Sequence, residues 1–165
     1  MLYDGKSPAW AGMHPGRTAM ALMGANVISN LIQIIYSSRP FGFDGAMLSG
    51  ILLDARRCNT RDDITGALIC RNDIYLQYLE GPPAEVKAAF ERIRRDNRHL
   101  EVTLRVSRGI PARLFGEWAM LHDPAKSWMW SAAEVNDDIL DRATEDELSG
   151  VFENLSTNAR SELTE

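Results

Sequence analysis

The sequence predicts an α+β fold of the ferredoxin-like kind: a β-α-β-β-α-β chain with one extra strand and helices at its C-terminal end. Three observations predict it. Short segments rich in β-branched and aromatic residues are interleaved with segments whose apolar positions recur at helical spacing. The turn signal Arg71 to Asp73 joins two strand-like segments directly, as in a hairpin. After Pro124 the composition shifts to an acidic, helical tail.

In chain order, "NLIQIIYSS", Asn30 to Ser38, is the first strand, punctuated by Pro40 and Gly42. Asp44 caps a helix running to about Asn59, with Leu48, Ile51, Leu52 and Ala55 as its apolar stripe. "ITGALIC" and "IYLQYLEG" are the second and third strands. Pro82 or Pro83 opens a second helix that buries Val86, Phe90 and Ile93. "EVTLRVSRGIPARLFGEWAML" supplies a fourth and a fifth strand, broken between Gly109 and Arg113. Two short amphipathic helices follow, at about Ala132 to Arg142 and Glu145 to Asn158, and are expected to pack on the open face of the sheet or on a partner. The expected organisation is a flexible leader over residues 1–28, the α+β domain over 29–123 and a helical extension over 124–165.

The chain has 165 residues, 45% of them hydrophobic, enough for one core. A net charge of −5 and a pI near 5.2 give no global attraction to nucleic acid or to anionic membranes. Cys58 and Cys70 lack the spacing of a zinc site or a disulfide framework, so no metal is expected and a reducing, cytoplasmic setting fits. The apolar stretch Ala19 to Ile28 is too short to span a membrane and is broken by glycine and asparagine.

Polar residues fall on faces that should be buried. Asn59 ends the stripe Leu48, Leu52, Ala55 of the first helix, and Tyr36 shares a strand face with Ile32 and Ile34. Gln77 lies mid-strand on the face of Tyr75 and Leu79. Each alone reads as an ordinary satisfied buried group. Together they come from three elements that the topology makes neighbours, so either they satisfy one another or something flat and polar lies between them. On the second helix, Ala88, Arg92, Arg95 and His99 form a further stripe ending beside Arg98, a cationic edge that is a solvated face unless a phosphate-bearing ligand meets it.

The motifs "LIQIIYSS", "ARRCN", "ITGALI", "YLQYLEGPPAEV", "RIRRDNRH" and "FGEWAM", in this order over about Asn30 to His122, resemble the BLUF family of flavin-binding blue-light sensors. The resemblance implies that FAD, or FMN, lies between the two helices. It assigns Gln77 to the glutamine bonded to the flavin, Tyr36 to the tyrosine that gives an electron and a proton under blue light, and Asn59 to the asparagine at the flavin's pyrimidine edge. Arg92, Arg95, Arg98 and His99 would lie near the ribityl chain, the phosphate or the sheltering loop. Trp118 and Met120 would relay the change from a fifth strand, on which alternation puts both on one face. Ala55, Cys58 and Ala119 depart from residues common in the family.

The function expected is therefore light sensing rather than catalysis. A Tyr36 and Gln77 rearrangement gives a reversible red shift, and the output passes through the C-terminal helices to a downstream protein or a homo-oligomer, because the tail after Asp123 is too short for an effector domain. The alternatives are a flavin-free interaction module and an acylphosphatase-like hydrolase. The latter lacks a glycine-rich phosphate loop after the first strand.

Overall fold

A computed structural model describes residues 30–42, 44–126, 130–136 and 138–165. The expected leader lies outside them. The described elements are β1 Leu31–Pro40, α1 Gly45–Arg61, β2 Thr65–Arg71, β3 Ile74–Gly81, α2 Pro83–Arg94, β4 His99–Ile110, β5 Leu121–Asp123, α3 Ala132–Asn136, α4 Ile139–Arg142 and α5 Glu145–Leu163. The strands form one sheet in the order β4-β1-β3-β2-β5. β1 runs antiparallel to both β3 and β4, β2 antiparallel to β3, and β5 parallel to β2. These are two interleaved split βαβ units, the ferredoxin-like arrangement the sequence predicts, with β5 added beside β2.

The local signals act as expected. The Asp44 carboxylate accepts from the Ala46 N–H at 2.7 Å and caps α1. Pro82 caps α2 and Pro83 occupies its first position, where a missing N–H costs nothing. Gly66 of β2 is required by close approach, because a Cβ there would lie 2.0 Å from the Tyr78 carbonyl oxygen.

Alternation along the strands divides the interior in two. Ile34, Tyr36, Leu68, Tyr75 and Leu79 face α1 and α2 and pack with Ile51, Leu52, Val86 and Phe90. Ile35, Ala67, Ile69, Leu76, Tyr78 and Val106 face the other way and are covered by Leu148, Val151, Phe152 and Leu155 of α5. The C-terminal helices thus take the sheet face rather than leaving it open. A capping box between Thr144 and Glu147 starts α5. No helix among the described residues is long and apolar enough to cross a membrane.

Three expectations are corrected. The segment Ala132 to Arg142 is two helical pieces rather than one, with Asp138 in left-handed backbone (φ 59°) ahead of α4. The second tail helix continues past Asn158 to Leu163. The fifth strand is only Leu121–Asp123, so Trp118 and Met120 precede it in irregular chain.

Phe152 is fully buried and its ring packs against Tyr78 and Phe115, with centroids 5.2 and 6.2 Å away. Phe152→Ala is expected to lower folding stability by about 3–5 kcal/mol. Urea unfolding with α5 helicity followed by circular dichroism checks this.

Candidate functional site

The centre of the site is set by register. β1 and β3 pair Tyr36 directly opposite Gln77, and both side chains point toward α1 and α2. The Tyr36 hydroxyl donates a hydrogen bond to Gln77 Oε1. Both residues are buried, Tyr36 completely. Burial first, and the Asp96 charge second, push the Tyr36 phenol well above its ordinary pKa, so it holds its proton. On the other side of the amide, Gln77 Nε2 lies 3.6 Å from Met120 Sδ, a weak acceptor.

Asn59, in the last turn of α1, donates from Nδ2 to the Ala119 carbonyl oxygen at 2.8 Å. Its Oδ1 has no hydrogen-bond partner among the described residues. The two amides therefore keep a donor (Gln77 Nε2) and an acceptor (Asn59 Oδ1) free of strong internal partners.

Both amides line a cleft of about 220 Å³ between α1 and α2. Ile51 and Ala55 of α1 and Ala89 and Ile93 of α2 give it apolar sides. Small residues on both helices suit a flat ring, and the amide donor and acceptor suit the hydrogen-bonding edge of a pyrimidine-type ring. Arg57, Arg92 and Arg98 also line the cleft, so an anionic tail would meet cations. These residues fit a flavin.

His99 is placed differently from the expected helical stripe. α2 ends at Arg94, and Arg95 caps it with its side chain exposed and away from the cleft. Asp96 turns the chain: its carboxylate accepts from the Arg98 N–H at 2.9 Å and its carbonyl from the His99 N–H at 3.1 Å. His99 thus begins β4, buried, with Nδ1 2.9 Å from Ser38 Oγ and its ring edge-on to Tyr36 and Tyr75. Arg92 and Arg98 line the cleft but are paired, Arg92 with Asp62 at 2.9 Å and Arg98 with Asp96 at 2.7 Å and Asp54 at 3.1 Å.

Trp118 and Met120 do not share a face. Met120 packs in the cluster with Tyr36, whereas Trp118 packs across the sheet with the Phe115 ring, at 6.3 Å between centroids. The alternation rule fails because the segment is not extended strand; the Trp118 carbonyl is tied instead to the Gly66 N–H at 3.1 Å. Sequence reading missed Ser38, Asp54 and Asp62, which acquire their roles from pairing across elements. It also missed Glu80, whose signal was a lone charge in a strand apolar on both sides.

A ferredoxin-like sheet with a slot between its helices, closed by two amides and opening past arginines, defines a domain built to hold a planar, hydrogen-bonding ligand. The family model described as "BLUF: Sensors of blue-light using FAD" matches residues 31–121, and the chain belongs to that family of flavin-using blue-light sensors. The photoactivated adenylate cyclase subunit beta of Euglena gracilis is 32% identical over 103 residues, 62% of this chain and 12% of that protein. The blue light- and temperature-regulated antirepressor BluF of Escherichia coli (strain K12) is 36% identical over 66 residues, 40% of this chain and 16% of that protein. The chain thus spans a small part of the curated relatives it matches. The dark-state structure of BlrB, a BLUF protein, superimposes with a TM-score of 0.67 at 26% identity, covering 79% of this chain and 98% of that one.

Burial, the largest cause, lowers the His99 pKa from 6.5 to about 4, against the raising effect of Asp96 and with a smaller lowering from Arg98. Between those values the unfolded chain binds a proton that the folded chain refuses. Stability from His99 is therefore present above pH 6.5 and lost as pH falls toward 4, by about 3 kcal/mol. Asp62 and Asp96 lose their contributions at lower pH, because their pKa values are depressed below the carboxylate value. Replacing His99 with Gln should flatten the stability curve between pH 6.5 and 4, read by urea unfolding at a series of pH values.

Proposed function

We propose that this chain detects blue light through Tyr36 and Gln77 and passes the change along the connector holding Met120 and Trp118 to the C-terminal helices. The observation that carries the reading is the buried Tyr36 to Gln77 hydrogen bond at the closed end of the cleft, with Met120 on the far side of the same amide. The reading divides the chain into a flavin-binding domain over 29–123 and an output extension over 124–165.

When bound, the flavin supplies absorption of blue light and an electron acceptor. Asn59 Oδ1 and Gln77 Nε2 would hold its polar edge, and Arg92 and Arg98 would meet an anionic tail, while His99 packs beside Tyr36 and Arg95 stands outside the cleft lining. Tyr36 holds a proton at Oη, and Gln77 Oε1 is the atom placed to receive it. Reversal of the Gln77 amide exchanges donor for acceptor on both of its sides. Tyr36 then meets an N–H, and Met120 and the cleft meet a carbonyl oxygen. The contact at Met120 is thereby altered, and Trp118, two residues earlier, carries the change to the face covered by α5.

The domain acts as a sensor without turnover of its own. Its output goes to a partner protein or to a second copy of the chain, a reading supported by the curated names of the relatives, a light-activated cyclase and an antirepressor. The free Cys58 and Cys70 favour a cytoplasmic setting.

The test is an absorption spectrum of purified protein in the dark, under blue light and through recovery, on wild type and Tyr36→Phe. Wild type is expected to be yellow with a reversible red shift. Tyr36→Phe should stay yellow, lose the shift and lose about 1–3 kcal/mol of stability, because Gln77 Oε1 is left unpaired. A normal, reversible shift in Tyr36→Phe would overturn the assignment.

A further inference from the structure

Three residues beyond Gln77, and on the opposite face of the sheet, β3 carries Glu80, a fully buried acidic residue. A carboxylate in such a place must have its acceptor sites filled. Its partners come from β2 and from the connector between β4 and β5. Oε2 accepts from the Leu114 N–H at 2.7 Å, and Oε1 accepts from the Phe115 N–H at 2.7 Å and the Thr65 hydroxyl at 2.8 Å. Arg113 braces the same spot, donating to Thr65 Oγ1 at 3.0 Å and to the Asp63 carbonyl at 2.8 Å.

The peptide between Leu114 and Phe115 also reaches in the other direction. Its N–H goes to Glu80, while its carbonyl accepts from Ser156 Oγ at 3.0 Å and Arg160 Nη2 at 2.8 Å, both on α5. Further along, the Trp118 N–H closes a turn on the Phe115 carbonyl at 3.0 Å, Asn59 holds the Ala119 carbonyl, and Met120 meets Gln77. The connector is thus tied to β3 at Gln77 through a weak contact and at Glu80 through two short bonds from backbone N–H groups to its carboxylate and a longer one from Arg113 to its carbonyl.

We propose that Glu80 is a positioning residue that latches the Arg113 to Met120 connector and, through the Leu114–Phe115 peptide, sets how firmly α5 is held. β3 is hydrogen-bonded on both sides, so the connector is the softer path from Met120. That path leads to the peptide that α5 grips. This rests on the light-sensing reading of Gln77.

The test uses flavin-loaded protein and two variants. Glu80→Gln keeps the shape but sets an amide N–H₂ against backbone N–H groups. Its flavin spectrum and red shift should persist. Dark recovery should change by about tenfold or more, and amide exchange of α5 in the dark should quicken by a similar factor. Recovery and exchange both within about twofold of wild type would overturn the latch. Should Glu80→Gln not fold, the Ser156→Ala, Arg160→Met double variant decides. Light is expected to change α5 exchange in wild type, and the double variant should keep the red shift and lose that change; its retention, or no change in a wild type that shows the red shift, overturns the proposal. In a wild type with no red shift the light-sensing reading fails on its own, and the dark exchange of Glu80→Gln still decides the latch.

Discussion

Every residue of β3 is buried, and this constraint organises the protein. A strand with no wet face can carry polar side chains only where each finds a partner, because an unpaired one costs about 1–3 kcal/mol. Besides Tyr75, whose ring packs against His99, β3 carries Gln77, Tyr78 and Glu80, and each of these three fixes something. Gln77 is matched by Tyr36 across the β1 pairing. Tyr78 Oη lies 2.8 Å from the Gln33 amide, whose NH2 faces it and whose oxygen faces Arg108; Arg108 in turn donates to Ser149 of α5. Glu80 binds the connector. Side-chain alternation sends the first toward the cleft and the other two toward the C-terminal helices, so one strand addresses both the ligand and the output face.

In the proposed reading the connector is the route between those faces, and its composition suits that task. It has few ladder bonds, since β5 contributes only three residues at the sheet edge, paired in parallel with β2. Such segments sit at the low end of local stability, and a packed core around them keeps their alternatives discrete. Met120 packs in one cluster and Trp118 in the other, so the connector touches both.

The β-α-β-β-α-β order, both main caps and the faces of Tyr36, Gln77 and Asn59 were legible in the sequence, because each rests on a local period or a local turn signal. What was not legible depends on chain that breaks its period. The Arg92, Arg95, His99 stripe assumed that α2 continues, but the Asp96 turn ends it and hands His99 to β4. Trp118 and Met120 were put on one face by a strand rule that their irregular backbone does not obey. The single short helix expected over about Ala132 to Arg142 is two pieces, with Asp138 in left-handed backbone ahead of the second. Glu80 was passed over because, besides Thr65, its partners are backbone N–H groups more than thirty positions away, which no side-chain pattern reports.

The arginines at the cleft mouth invite a reading as a ready phosphate site, but the charges there are already balanced. Arg98 lies against Asp54 and Asp96, and Arg92 against Asp62, whose carboxyl is held at about 2 chiefly by its bond to Arg61. An anionic tail must share these cations with the carboxylates, so it gains less than bare arginines would give. Surface ion pairs of this kind are worth only about 0–1 kcal/mol, and exchanging one acceptor for another is correspondingly cheap. Affinity for a flavin then rests mainly on the ring, through apolar contact with Ile51, Ala55, Ala89 and Ile93 and through the two amides at the closed end. In the proposed reading the ring is also the part that Gln77 meets, so the contacts that would hold the ligand would also bring it against the amide.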